Sequence, residues 1–520
     1  MLINNTMPKQ ENSILMNLIR KMTKAEKRRF KLMSGAGKGS ETKLFVELFD
    51  VLDDMDSYDE RLIFKKIPRL KKAQLSNLKA HLLKHLMSNL RHLHIPTKLD
   101  IQVRDLIDYA RVYYSKGMYK AALQTLHKAK KIAMQHELNT ALFTCVEFEK
   151  KIESQHITGS MYPRAEALSI EVETALNQVV LNNKLSNLAL RLYGKYLKQS
   201  HIKHETDYKE HLSYFKANLP KVNFETLDFY GKLYYLQSHV WFCYTVQDFA
   251  NYFKHAYRWV EHFQNNAGMI DQETAMYLKG VHNLLNAYFI HEKEHKFLDT
   301  YHSFLQYKSE NLQDFDLNCL QIIHNIEWIH GLNVYILEAD FDKGAIYVDG
   351  LVKHSGYLIQ QWNLHRLLTI YYKMACIYFG AERFDEALEY LNIINNRVYP
   401  EFRNDIQCFS RILSLIIHYD LGHHELLKYQ VQSVYRFLLK LDEMQEVQKE
   451  IFNFLRKLPR MNNKDVIAEF GLLKNRLVSI RNLKFEKRAF LYLDIISWLS
   501  SKIENCRIQE IIQQKKLVKS

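Results

Sequence analysis

The chain has 520 residues, with 16 Gly, 7 Pro and 6 Cys, and a formal net charge of +14 from 72 Lys and Arg against 58 Asp and Glu. A chain this long exceeds what one compact core serves and calls for several domains or one extended array. So little Gly and Pro leaves few breaks for short strands, and Leu, Lys, Glu, Ala and Gln recur at helical period, so an all-α fold with almost no sheet is expected.

The charge is uneven. Residues 1–100 hold 20 Lys and Arg against 11 Asp and Glu, and residues 501–520 hold 5 against 2. A basic head and tail therefore flank a nearly neutral body, which points to an anionic partner at the ends. No stretch approaches the roughly 18 apolar residues of a membrane span. The start, MLINNTMPKQENSILMNLIRKM, lacks the uninterrupted apolar core of a leader, so a cytoplasmic protein is expected. Cys145, Cys243, Cys319, Cys376, Cys408 and Cys506 are far apart and form no C-x-x-C pair, so they are expected reduced, buried and inert.

Residues 1–22 read as a loose leader running into a helix. Thr23 with Glu26 three positions on is a capping box, and it opens a short basic helix holding Lys24, Lys27, Arg28, Arg29 and Lys31. The glycine-rich run Gly35–Ser40 breaks the chain. It lacks the spacing and the preceding strand of a phosphate-binding loop, so it reads as a linker. Thr42–Leu52 sets Leu44, Phe45, Leu48 and Phe49 on one face of a second helix. A third runs from Tyr58 to Ile67 and stops at Pro68; a fourth runs from Lys72 to His94, and Pro96 ends it. A basic N-terminal helical domain over 1–95 follows.

That domain also carries a nucleic-acid reading. Helix 58–67, the turn through Pro68 and helix 72–94 form a possible helix-turn-helix offering Lys72, Gln74, Ser76, Asn77 and Lys79 to a groove, with Lys65, Lys66, Arg69 and Lys71 beside phosphates. The competing reading is a helical cap whose lysines are solvated. His81 and His85, four apart but without nearby carboxylates, read as surface or half-buried polar residues.

From Asp100 the pattern is helix, short turn, helix. Ala110, Tyr113, Gly117, Tyr119, Ala122, Leu126 and Ala129, then Ala375, Tyr378, Phe384, Ala387, Leu391 and Ile394, repeat one spacing. This resembles the tetratricopeptide repeat, in which small residues let paired helices approach and aromatics fill the gaps between units. Looser units fall at Val240–Trp259, Phe341–Leu351 and Leu415–Val431. The resemblance implies a right-handed superhelix over 100–440, with room for roughly ten units of about 34 residues. Residues 441–520 read as capping helices, including a long one from Lys484 to about Asn505, and a frayed basic tail. Joined to the basic head, the repeats also resemble bacterial regulators that couple a helix-turn-helix to a peptide-sensing repeat domain.

His291-Glu-Lys-Glu-His295 matches H-E-x-x-H, which binds zinc when two histidines lie one helical turn apart. Its charged interior and its position near a turn favour a solvated segment. No nucleophile elbow, dinucleotide fingerprint or calcium loop occurs, and no catalytic, cofactor or metal residue is assigned. The expected function is a non-enzymatic scaffold binding a peptide or helix of a protein partner in the concave groove, through Arg104, Arg111, Tyr114 and Ser115, then Tyr372, Cys376 and Phe379. These side chains equally suit packing against the next repeat. The alternative is a nucleic-acid-binding regulator with the repeats as sensor.

Overall fold

The computed structural model describes residues 7–35, 40–94, 98–156, 161–355, 364–396, 403–440, 445–458, 463–487, 489–492 and 494–519, and among these residues the regular structure is helical, without strands. The glycine-rich run at 36–39 and the break at 95–97 lie outside the described residues. Contacts divide the chain into two compact units, Met1–Leu176 and Asn177–Ser520.

The first unit opens with α1 (Met7–Lys21), α2 (Lys24–Gly35), α3 (Ser40–Asp53), α4 (Glu60–Lys66) and α5 (Lys72–His94). Their apolar faces meet in one cluster that includes Ile19, Phe30, Leu48, Phe49, Ile63, Leu82 and Leu86. The capping box at the start of α2 forms as its sequence specifies: Thr23 N donates to Glu26 Oε2 at 2.7 Å and Glu26 N donates to Thr23 Oγ1 at 3.2 Å. Next come α6 (Leu99–Ser115), α7 (Tyr119–Gln135), α8 (Asn139–Gln155) and the beginning of α9 (Met161–Gln199), a helix that crosses into the second unit. Ala110, Ala122 and Ala129 are wholly buried where α6 and α7 meet, because a β-carbon is all that the gap between the two backbones accepts.

The second unit continues through α10 (Glu205–Asn218), α11 (Phe229–Thr245), α12 (Phe249–Gln264), the short α13 (Gly268–Gln272), α14 (Thr274–Ile290), α15 (Glu294–Glu310), α16 (Leu317–Glu338), α17 (Phe341–Ser355), α18 (Leu364–Gly380) and α19 (Phe384–Asn396). It ends with α20 (Asn404–Asp420), α21 (His424–Lys440), α22 (Glu446–Lys457), α23 (Asn463–Ile480), α24 (Ala489–Tyr492), α25 (Ile495–Glu504) and α26 (Ile508–Lys519).

One turn recurs in both units. A single residue in left-handed conformation follows the helix: Gly117 and Glu137 in the first unit, then Gln247, Glu292, Ala339, Glu382 and Gly422 in the second. The amide of the next residue donates to the carbonyl five positions back, in the pairs Met118–Tyr113, Leu138–Ala133, Asp248–Cys243, Lys293–Tyr288, Asp340–Tyr335, Arg383–Tyr378 and His423–His418, at 2.8–3.1 Å. This hydrogen bond caps the carbonyls that a helix end leaves open. Only Gly117 and Gly422 have no β-carbon to strain at that φ; the other turns carry a cost of about 1 kcal/mol that the packed helix pair must hold down. In the second unit the turn residues lie 40 to 47 positions apart. The spacing of about 34 that would place ten units over 100–440 is therefore not followed, and the helices are longer than that spacing allows.

The end of the second unit packs back onto its own beginning. Lys484 Nζ lies 3.0 Å from Glu205 Oε2 and 3.6 Å from the centre of the Tyr208 ring. Gln247 Nε2 donates to Ile202 O and to Phe485 O. Two further sequence expectations change here. Lys484–Lys487 is a turn rather than the start of a long helix, and α25 begins only at Ile495, where Asp494 caps Ser497 N. The basic tail is no frayed end: it is α26, held by Gln509 Oε1 accepting from Phe341 N, Gln513 Nε2 donating to Ala339 O, and Lys516 paired with Glu294 at 2.6 Å. It also packs on α25, with Lys515 Nζ donating to Ser497 Oγ at 2.7 Å, but the three partners just named lie more than 160 positions earlier, beyond the reach of any local pattern.

Candidate functional site

The first helices of successive pairs in the second unit, α11, α14, α16, α18 and α20, face a cavity of about 1570 Å³, which α9 and α26 also line. The sequence builds its wall by helical periodicity. On α14, Lys279, His282, Asn283 and Asn286 form a polar stripe, while Leu278, Val281, Leu285 and Ala287 turn into the core. On α18, His365, Arg366, Thr369, Tyr372, Lys373, Cys376 and Phe379 follow the same period. Aromatic rings complete the wall: Trp241 packs on Tyr193 at 4.4 Å and on Tyr196 at 5.7 Å between ring centres.

A chain of buried hydrogen bonds crosses from α18 through α16 to α14. Lys373 Nζ donates to Asn333 Oδ1 at 2.7 Å. The ammonium has no acceptor, so the amide oxygen must face it, and Asn333 Nδ2 then donates to His330 Nδ1 at 3.1 Å. His330 consequently carries its proton on Nε2 and donates to His282 Nδ1 at 2.9 Å, which leaves the His282 proton on Nε2. Burial, followed by the charges of Arg366 and Lys373, pushes His282 down to about 4; burial and His282 hold His330 well below its ordinary range. Both rings are neutral at physiological pH. Burial lowers Lys373 from 10.5 to about 8, and Arg403 adds to that shift.

Other charges on this wall are also crowded. Lys279 is lowered by burial and by Arg366, and His365 falls to about 3 through burial, Arg403 and Arg366. Arg403 is buried against the fully buried Asp405, with Nε 3.0 Å and Nη2 2.9 Å from its carboxylate, and its Nη1 donates to Thr369 Oγ1 at 3.1 Å. Two buried donors on the cavity lining, Asn325 Nδ2 and Trp259 Nε1, meet no acceptor among the described residues.

Of the residues singled out from sequence, Tyr372, Cys376 and Phe379 line this cavity. Arg104 and Arg111 are exposed on α6, beside Asp100 at 4.0 Å and Asp108 at 3.3 Å, and Ser115 donates to Val112 O. Tyr114 packs between Tyr119 and Phe148, with its hydroxyl on Gln155. Among the basic residues of the first unit, Lys24, Arg28, Arg29, Lys65, Lys71 and Lys72 are exposed. Lys27 pairs with Asp53, Lys66 with Asp54 at 3.5 Å, Arg69 with Glu47, and Lys79 with Tyr58 at 2.9 Å and Glu60 at 3.7 Å. His81 is exposed, and His85 stacks on Phe45 at 5.1 Å between ring centres.

His291–His295 straddles the α14–α15 turn, with Glu292 left-handed and His291 Nε2 bonded to Phe249 O at 3.0 Å, so the two histidines do not share a helical face. No group of three or more metal-ligating side chains is found among the described residues. Burial pushes the Cys145 thiol to about 11 and those of Cys243 and Cys376 to about 12, which keeps them protonated. No helix among the described residues is long and apolar enough to cross a membrane.

Lys279, His282, Arg366 and Lys373 are the site residues that sequence reading passed over. Their signal was present, as cations and a histidine at intervals of three and seven on otherwise apolar helices. Compared with protein-family models, curated proteins and solved structures, the chain matches none.

Proposed function

We propose that the second unit is a non-catalytic binding module, a tetratricopeptide-like array of helix pairs whose interior takes an extended peptide or helical segment of a protein partner. The observation that carries this reading is the cavity of about 1570 Å³, larger than small-molecule pockets of about 300–1,000 Å³ and lined by the first helix of each successive pair. Stacked helix pairs create such continuous interior surfaces because no pair buries its apolar face alone. The recurring left-handed turn supports a repeat architecture. Hydrogen exchange of the full chain with a degenerate peptide pool tests the reading. Protection should fall on α14, α16 and α18 and weaken in Cys376→Trp, which projects a bulky ring from the α18 wall into the cavity; protection elsewhere, or none, refutes it.

A second reading is nucleic-acid binding by the first unit. It is favoured by one observation: α5 leaves Lys72, Gln74, Ser76 and Asn77 exposed after the turn that joins it to α4. Steeply salt-dependent retention on heparin, abolished by Lys24→Glu, Arg28→Glu and Lys72→Glu together, would support it; retention unchanged in that variant would refute it.

A further inference from the structure

The last helix lies across the turns of three successive pairs. Arg507, at the entry to α26, forks onto Asp342 at the start of α17, with Nη1 and Nη2 each 2.8 Å from a carboxylate oxygen, and its Nε lies 3.5 Å from Glu382 in the α18–α19 turn. Two glutamines one helical turn apart serve the α16–α17 turn: Gln509 Oε1 accepts from Phe341 N at 2.9 Å, and Gln513 Nε2 donates to Ala339 O at 3.0 Å. Lys516 ends the row on Glu294, at the start of α15, at 2.6 Å. Phe341 N belongs to the first turn of α17, whose amides have no partner within the helix, and Ala339 O lies just past the end of α16. That turn therefore offers one donor and one acceptor, which a pair of carboxamides answers. The turns are acidic where the last helix is basic, since residues 507–519 hold four Lys and Arg against one Glu. Ile508, Ile512 and Lys516, spaced four apart on α26, meanwhile line the cavity.

From this row we propose that α26 is the cavity's resident ligand, seated in cis where a basic amphipathic helix of the partner docks. The inference rests on the reading of the cavity as a peptide site and names the class of peptide: a helix with two carboxamides four positions apart, an arginine ahead of them and a lysine behind. The seat meets α26 through side chains that reach fixed carboxylates and backbone groups of the turns, so a helix from another molecule with the same pattern meets the same partners. An extended strand does not. Four residues span about 6 Å in a helix and about 13 Å in a strand, and only the first matches the separation of Gln509 and Gln513 on one turn. The ion pairs are reversible, because the Arg507 and Lys516 side chains each keep 35% of their exposure and pairs so exposed are weak singly. On its other side α26 packs on α25, so it is loosened from the turns without leaving the chain.

The test uses the full chain and a fluorescein-labelled peptide of residues 507–519, followed by fluorescence anisotropy. In the unaltered chain the tethered helix, at an effective concentration of about millimolar, should keep the labelled one out. Arg507→Glu with Lys516→Glu in the chain loosens α26 from Asp342 and Glu294, and peptide binding should then tighten by about tenfold or more. The same two reversals made in the peptide should abolish its binding to the loosened chain. Adding Asp342→Arg, which takes the carboxylate from the seat and re-forms the pair in cis, should exclude the unaltered peptide again. Gln509→Ala with Gln513→Ala loosens α26 without reversing a charge, and guards against reversals that merely unfold the chain. Binding no tighter in either loosened chain than in the unaltered one overturns the inference, as does binding that ignores the reversals in the peptide. Dimerisation of a loosened chain in sedimentation, with the peptide still excluded, overturns it in favour of a second copy as occupant. Protection of α14, α16 and α18 by the degenerate pool separates the two readings: if it persists while the labelled peptide fails, only this inference falls, and if it is absent, the peptide reading beneath falls too.

Discussion

Acid should loosen the second unit well before its carboxylates titrate. Burial holds His255 and His365 at about 3 and His282 at about 4, against about 6.5 in an unfolded chain. Above pH 6.5 both states carry neutral rings and nothing is lost. As pH falls below 6.5 the unfolded chain takes up protons that the folded unit refuses, so stability drops until the folded values are reached. At pH 5 each of the three lies 1.5 pH units below its unfolded value, which at 1.36 kcal/mol per unit is about 2 kcal/mol each and about 6 kcal/mol together at most. A domain holds only about 5–15 kcal/mol in all. The assay is convenient because all five tryptophans, Trp241, Trp259, Trp328, Trp362 and Trp498, lie in the second unit, so fluorescence-detected urea unfolding reports on it alone. The urea midpoint should fall steadily from pH 6.5 to pH 5. His365→Gln, which keeps an acceptor for Arg403, should recover about 2 kcal/mol of the loss at pH 5. A midpoint flat from pH 7 to pH 5, or one equally steep in His365→Gln, would refute the reasoning.

Three other outcomes follow from packing and charge. A methyl group added by Gly380→Ala would overlap the ring of Phe341, whose amide also anchors Gln509; a loss of about 1–3 kcal/mol in urea unfolding is expected, with faster hydrogen exchange in α26. Asp228→Ala removes the cap of α11, where Asp228 Oδ1 accepts from Gly231 N at 2.7 Å and Oδ2 accepts from Asn182 Nδ2 at 2.9 Å; tryptophan-detected unfolding should report a cost of about 1–2 kcal/mol. In the first unit, Lys130 is buried between Glu149, at 3.0 Å, and Glu171. Lys130→Met should cost about 3 kcal/mol or more by leaving those carboxylates without it, visible by circular dichroism and without a shift in the tryptophan transition.

Much of the helical pattern was legible because it is local. The α5 limits, Lys72–His94, follow from its leucine spacing and the prolines on either side, and the capping box of α2 forms between residues three apart. The buried alanines of α6 and α7 were readable for the same reason. Most of the recurring turns were hidden because Glu, Gln and Ala occupy the left-handed position at five of seven, where glycine would have signalled it. The cavity was half legible. Tyr372 and Phe379 were found through the repeat pattern, whereas Lys279 and Lys373 were passed over, because only the arrangement of five helices brings them to one wall. The docking of α26 on Ala339, Phe341 and Glu294 could not be read, since those residues lie far away in the chain.

The seam between the two ends of the second unit bears on how this part of the chain folds. An open stack can start anywhere and lose pairs from either tip, since each pair depends only on its neighbours. Here Lys484 meets Glu205 across 279 residues, and Gln247 meets Phe485 across 238. Contacts at such separation carry the largest chain-closure entropy and form late. Refolding should therefore pass through an unclosed array that already has its helices, with closure as the slow final step. Once closed, the two ends hold each other, so the loss of helix pairs from either tip must wait for the opening of that seam.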